Sequence, residues 1–139
     1  MSSAPPTSLD AVLRASTEVL AAAGVSSPRH DAEVLASFAL GAERSAVRTW
    51  LALGVAVSPE QQEQIATLID RRATREPLQH ITGSTGFAQL ELLVGPGVFV
   101  PRPESELLVE RALGELRSLT ESGLAPVVVD LCSGSGAIG

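Results

Sequence analysis

The sequence has no lysine and no tyrosine, a single cysteine, and only one tryptophan and three phenylalanines. All ten basic residues are therefore arginine, a compositional bias that carries no functional inference. With Cys132 alone, an intramolecular disulfide is excluded, and the usage fits a reducing cytoplasm. The formal net charge of −6 argues against non-specific nucleic-acid binding, and so against direct DNA binding, which needs a basic face. No apolar run approaches the length of a membrane span. The opening M-S-S-A-P-P-T-S has no basic segment followed by an apolar one, so it does not read as a signal peptide. His30 and His80 lack partners at metal-ligand spacing, and no metal is expected. These exclusions leave a cytoplasmic protein without a membrane segment.

What is present suffices for a core: 139 residues, 45% apolar and 19% charged, the balance of a folded chain. Residues 1–7 read as a frayed tail. From Ser8, Leu9, Val12, Leu13, Ser16, Val19, Leu20 and Ala23 recur at helical spacing up to Gly24. Ser27-Pro28 supplies a cap and a first-turn proline for a second helix that carries Val34, Leu35, Phe38 and Ala42 on one face. A third helix spans about Ser45 to Leu53. Ser58 and Gln61 have capping-box spacing ahead of a fourth helix with Ile65, Leu68 and Ile69 inward. The expected first domain, residues 1–77, is a helical bundle.

The period changes at Leu78. Phe87 to Val94 alternates as a strand, Gly95-Pro96-Gly97 reads as a turn, and Val98 to Val100 as the returning strand of a hairpin. The hairpin, in residues 78–103, is the expected connector. Pro103 opens a helix with Glu104 and Glu106 in its first turn, ending near Gly123. Val127, Val128 and Val129 followed by Asp130 and Leu131 read as a strand buried on both faces, the pattern of a parallel sheet. Residues 104–139 thus predict the start of an α/β domain.

The chain then reads Cys132-Ser133-Gly134-Ser135-Gly136-Ala137-Ile138-Gly139. Glycines at this spacing let backbone N–H groups approach a ligand and satisfy the dinucleotide pattern G-x-G-x-x-G, weak evidence by itself. A carboxylate directly before such glycines attracts the cationic methionine end of S-adenosylmethionine, whereas it would repel a pyrophosphate. Asp130 holds that position. Taken alone, a cofactor acid and a turn cap are even readings of it. Cys132, without a nearby His or second Cys, reads as a small structural residue rather than an activated thiol.

Three segments together resemble the release factor glutamine methyltransferases (the PrmC or HemK family). They are Glu76-Pro77-Leu78-Gln79-His80-Ile81-Thr82-Gly83 with Phe87; Pro96-Gly97-Val98-Phe99-Val100-Pro101-Arg102-Pro103-Glu104; and Asp130 to Gly136. His80 stands where the family commonly has Tyr, and Cys132 where the loop usually begins with Gly, a change tolerated if φ there is negative. The resemblance implies a mainly α helical domain that docks a peptide-chain release factor, followed by a β-hairpin and the start of an α/β Rossmann-like methyltransferase domain. The implied reaction moves a methyl group from S-adenosylmethionine to the side-chain nitrogen of the Gln in the release factor's Gly-Gly-Gln motif. It also implies cofactor contacts at Asp130, Cys132, Ser133, Gly134, Ser135 and Gly136, and substrate contacts at Phe87, Phe99 and Arg102. The family's Asn-Pro-Pro-Tyr motif does not occur in these residues. No catalytic residue is therefore assigned, and the chain alone is expected to be inactive.

Plainer readings stand beside these. Phe87 and Phe99 read as hairpin core, Arg102 as the partner of Glu104 or Glu106, Trp50 as bundle packing, and Arg71, Arg72 and Arg75 as a solvated helix end rather than a contact to a release factor or ribosomal RNA. The alternatives for the whole are a non-catalytic helical docking module and the start of a dinucleotide-binding oxidoreductase.

Overall fold

The computed structural model describes residues 6–139, which divide into two compact units, one through Thr82 and one from Gly83 to Gly139. The first unit extends past the expected boundary at residue 77. Residues 1–5 of the expected tail lie outside the described residues; Thr7 does not fray, because Thr7–Ser8 (β1) pairs antiparallel with Ala56–Val57 (β2).

Local chemistry sets the helix limits. The Ser8 hydroxyl accepts the Ala11 N–H at 3.2 Å and caps α1 (Leu9–Ala22), giving one orphan donor a partner. Ser27 precedes α2 (Pro28–Ala39), but its side chain makes no cap bond. Its carbonyl instead accepts the Asp31 N–H at 3.0 Å. α3 covers Arg44–Ala52. The Ser58 hydroxyl accepts the Gln61 N–H at 3.3 Å, and the Gln61 side chain accepts the Ser58 N–H at 2.9 Å. This is the expected capping box, and it starts α4 (Pro59–Ala73). A short α5 (Leu78–Thr82) then adds Ile81 to the core.

α1 packs on α2 and α4, α2 on α3 and α4, and α5 on α2 and α4. Leu9, Leu13, Leu20, Leu35, Val47 and Ile65 are fully buried, and Trp50 packs against this core. One expected face is corrected: Phe38 is half exposed, while Ala32, Leu35 and Ala36 are buried. The inward side of α2 is rotated toward small residues, which let neighbouring helices approach, and toward Asp31. That carboxylate accepts from Arg72 Nε at 2.8 Å, with side chains only 8% and 16% accessible. Arg72 also donates to the Glu76 carbonyl at 2.8 Å. Arg71 grips the Glu76 carboxylate at 2.9 and 2.6 Å, which holds that group below the usual carboxylate range. Arg75 reaches the Gly24 carbonyl at 2.6 Å. Arg71 and Arg75 are exposed at the helix end, as expected, while making these contacts; Arg72 alone is drawn into the fold.

In the second unit the hairpin is shifted from its expected place. Ser84–Phe87 (β3) pairs antiparallel with Leu90–Leu93 (β4), and Phe87 faces Leu90 across a two-residue turn. Ala88 and Gln89 have φ of 47° and 67°, the sign a type I′ turn requires and one that Asn and Gly normally supply. Gly95-Pro96-Gly97 does turn, with the Val98 N–H bonded to the Gly95 carbonyl at 2.9 Å, yet residues 98–100 form no strand. β4 already has its partner upstream. A single-turn 3-10 segment (Pro103–Ser105) leads into α6 (Glu106–Glu121). The expected strand Val127–Leu131 is not formed. Val127, Val128, Val129 and Leu131 are 61–89% exposed, because a parallel strand needs neighbours to receive its backbone groups and the described residues hold none.

Two outcomes follow from these contacts. Asp31→Ala leaves Arg72 buried without its counter-charge and should cost about 3 kcal/mol; urea unfolding followed by helical circular dichroism measures it. Replacing Ala88 by Asn together with Gln89 by Gly should strengthen the hairpin by about 1 kcal/mol, seen as slower amide exchange at Val94, whose N–H bonds the Gly83 carbonyl at 3.0 Å. Unchanged exchange would refute the turn assignment.

Candidate functional site

Within the second unit, a cavity of about 180 Å³ is lined by Phe87 from β3, Phe99, Pro101, Arg102 and Ser105 from the segment entering α6, and Cys132 to Ser135, Ala137 and Ile138 from the glycine loop. Residues separated by up to 51 positions in sequence meet there. Phe87 is buried and forms one wall, combining a core role with a place at the cavity. Phe99 is exposed, and the Arg102 guanidinium lies over its ring at 5.7 Å from the centroid, a cation–π arrangement. Arg102 makes no ion pair with Glu104 or Glu106 among the described residues. Pro101 and Pro103 hold φ on both sides of Arg102, and the Ser105 N–H closes onto the Arg102 carbonyl at 3.0 Å. Sequence reasoning missed Ser105; its place in the turn after Pro-Arg-Pro was the available signal.

Of the residues marked for a cofactor, Cys132, Ser133, Gly134 and Ser135 line the cavity, while Asp130 and Gly136 do not. Gly136 closes the loop by donating its N–H to the Ser133 carbonyl at 2.9 Å. Asp130 Oδ2 is shielded from solvent and has no hydrogen-bond partner. Gly139 covers it so closely that a Cβ there would stand 3.1 Å from that oxygen. A buried carboxylate oxygen without a donor is unfavourable by about 1–3 kcal/mol, so this position fits a cationic or N–H-bearing group. The cavity is smaller than the roughly 300 Å³ at which small-molecule pockets begin.

Cys132 corrects an expectation. Its φ is 61°, not negative, so a side chain occupies a left-handed position that costs a non-glycine residue about 1–2 kcal/mol. The thiol is free and exposed. Among the described residues no three His, Cys, Asp or Glu side chains cluster as metal ligands, and no helix is long and apolar enough to cross a membrane.

Comparison with known proteins gives a family match: the PrmC N-terminal domain model covers residues 11–83. The chain is 46% identical over 132 residues to the release factor glutamine methyltransferase of Bifidobacterium longum, covering 94% of this chain and 44% of that protein. It is 47% identical over 122 residues to the protein of the same name from Streptomyces coelicolor (88% and 41%). It is 43% identical over 132 residues to that of Mycolicibacterium smegmatis (95% and 44%). The chain thus spans less than half the length of these curated relatives.

The strain at Cys132 has a direct test. Cys132→Gly should preserve the Gly136 N–H bond to the Ser133 carbonyl, whereas the β-branched Cys132→Val should break it and speed amide exchange at Gly136. Equal protection in both variants would show that the left-handed position is not required.

Proposed function

This chain belongs to the PrmC N-terminal domain family, and from that premise we propose that the whole protein methylates the side-chain nitrogen of the Gln in the Gly-Gly-Gln motif of peptide-chain release factors, using S-adenosylmethionine. In this reading the helical unit docks the release factor, and the second unit begins the Rossmann-like domain that holds cofactor and acceptor. The observation that carries it is the meeting of Phe87, Phe99 and Arg102 with Cys132 to Ser135 around one cavity.

The cofactor, when bound, supplies an electrophilic methyl group. Asp130, beside the loop but not lining the cavity, would hold the cofactor's ammonium group through its shielded carboxylate oxygen. The glycine turn keeps side chains away so that backbone N–H groups reach the ligand. Phe87 and Phe99 wall off water and orient the acceptor side chain, and Arg102 is held rigid by two prolines and the Phe99 ring. An amide nitrogen is a poor nucleophile because its lone pair is delocalised, so the acceleration comes mainly from orientation and hydrogen bonding. The acceptors for the amide N–H groups are assigned to the family's Asn-Pro-Pro-Tyr motif, which the 139 residues do not contain. The chain alone is accordingly inactive.

Mass spectrometry of a release factor incubated with S-adenosylmethionine tests this. The full-length protein should add one methyl to the Gly-Gly-Gln glutamine and the 139-residue chain none. Asp130→Asn in the full-length protein should raise the KM for the cofactor about tenfold. An unmodified glutamine with the full-length protein would overturn the reading, and methylation by the chain alone would overturn the assigned division of roles.

A further inference from the structure

The arginines before residue 83 fall into two groups. Arg14 pairs with Asp10, Arg71 with Glu76 and Arg72 with Asp31, and Arg75 is spent on the carbonyls of Ala23 and Gly24. Arg29, Arg44 and Arg48 instead share one carboxylate. Glu33 Oε1 lies 2.9 Å from Arg29 Nε, and Oε2 lies 3.4 Å from an Arg44 Nη and 3.7 Å from Arg48 Nε. Glu33 is 14% accessible, whereas the three arginine side chains are 38–66% accessible. The negative charge is sunk between α2 and α3 while the surplus positive charge faces water.

Burial pushes the Glu33 carboxyl up, but hydrogen bonds from Arg29 and Arg44 and the charges of Arg29 and Arg48 outweigh it and hold it below its ordinary range. It is ionised at neutral pH and offsets one guanidinium of the three. Arg44 Nε is itself shielded and without an acceptor, and an Arg44 Nη lies 3.3 Å from His30 Nδ1. Glu43, just before α3, is exposed.

We propose that this α2–α3 corner docks an acidic segment of the protein partner, whose carboxylates take the guanidinium forks that Glu33 leaves unfilled. The inference deepens the reading above and rests on it for the partner's identity. Arginine matches carboxylates in paired geometry, as Arg71 does with Glu76, whereas each arginine at Glu33 makes a single contact to it. A nucleic acid is disfavoured because the patch is a point rather than a stripe along which a phosphate backbone could run. The surplus steers an acidic partner and loses strength as salt rises.

The test is a calorimetric titration of the 139-residue chain with hexaglutamate, with hexaglutamine and hexauridylate as comparison probes. Hexaglutamate should bind, and Arg48→Gln, at an exposed site that leaves the helical circular dichroism unchanged, should weaken it about fivefold. Arg14→Gln should have no effect. Arg48→Gln should weaken release-factor binding likewise. No hexaglutamate binding, indifference to Arg48→Gln, or tighter binding of hexauridylate would each overturn the proposal. Release-factor binding unaffected by Arg48→Gln would overturn it while leaving methyl transfer intact. Failure of the full-length protein to methylate a release factor would count only against the function proposed above, since hexaglutamate binding is read independently of it.

Discussion

The ion pair between Asp31 and Arg72 is the constraint on which the helical unit depends. It joins α2 to α4 across forty-one residues of sequence at 2.8 Å, where both side chains are largely shielded. Two buried charges repay their desolvation only with good geometry and further hydrogen bonds. Here Arg72 adds the Glu76 carbonyl, and Glu76 in turn is fixed by Arg71. This chain of contacts orients the end of α4 and the start of α5. It also decides which face of α2 turns inward, so that small apolar residues pack in the core and Phe38 is left half exposed.

That rotation has a consequence at the next corner. With Asp31 turned toward α4, Glu33 lies toward α3, where Arg44 and Arg48 converge on it with Arg29. The same helix therefore carries a structural ion pair on one side and a surplus of positive charge on another. The first holds the fold; the second is available to a partner. In the second unit the balance is different. Only Phe87 and Val94 are buried among its apolar side chains, while much of α6 and all of Val127 to Val129 face solvent. The cavity near the glycine loop is built by short-range geometry: two prolines around Arg102, a left-handed Cys132 and the Gly136 to Ser133 bond.

Legibility in the sequence followed the range of the interaction. The capping box at Ser58 and Gln61 was readable because both partners lie within four residues, and α1 to α4 followed from apolar spacing. The hairpin was misplaced because Gly95-Pro96-Gly97 is a strong turn signal and Ala88-Gln89 is not one, although the chain turns at both. Val127 to Leu131 has the composition of a buried strand, but composition supplies no neighbours to pair with. Arg72 looked solvated because its partner Asp31 is distant in sequence, whereas Arg71 and Arg75 are exposed as expected. The approach of Arg44 and Arg48 to Glu33 was invisible for the same reason as the Arg72 pairing, whereas Arg29 stands at helical i,i+4 spacing from it. The resemblance implied substrate contacts at Phe87, Phe99 and Arg102 and cofactor contacts at the glycine loop, but not that they line one cavity, which spacing alone would not have revealed.

The central claim is that the helical unit recognises a release factor independently of the cofactor site. Hydrogen exchange on the 139-residue chain, with and without a release factor carrying the Gly-Gly-Gln loop and with no S-adenosylmethionine present, tests it most directly. The account predicts saturable binding with added protection at α2 and α3. No binding, or protection confined to residues 83–139, would contradict it.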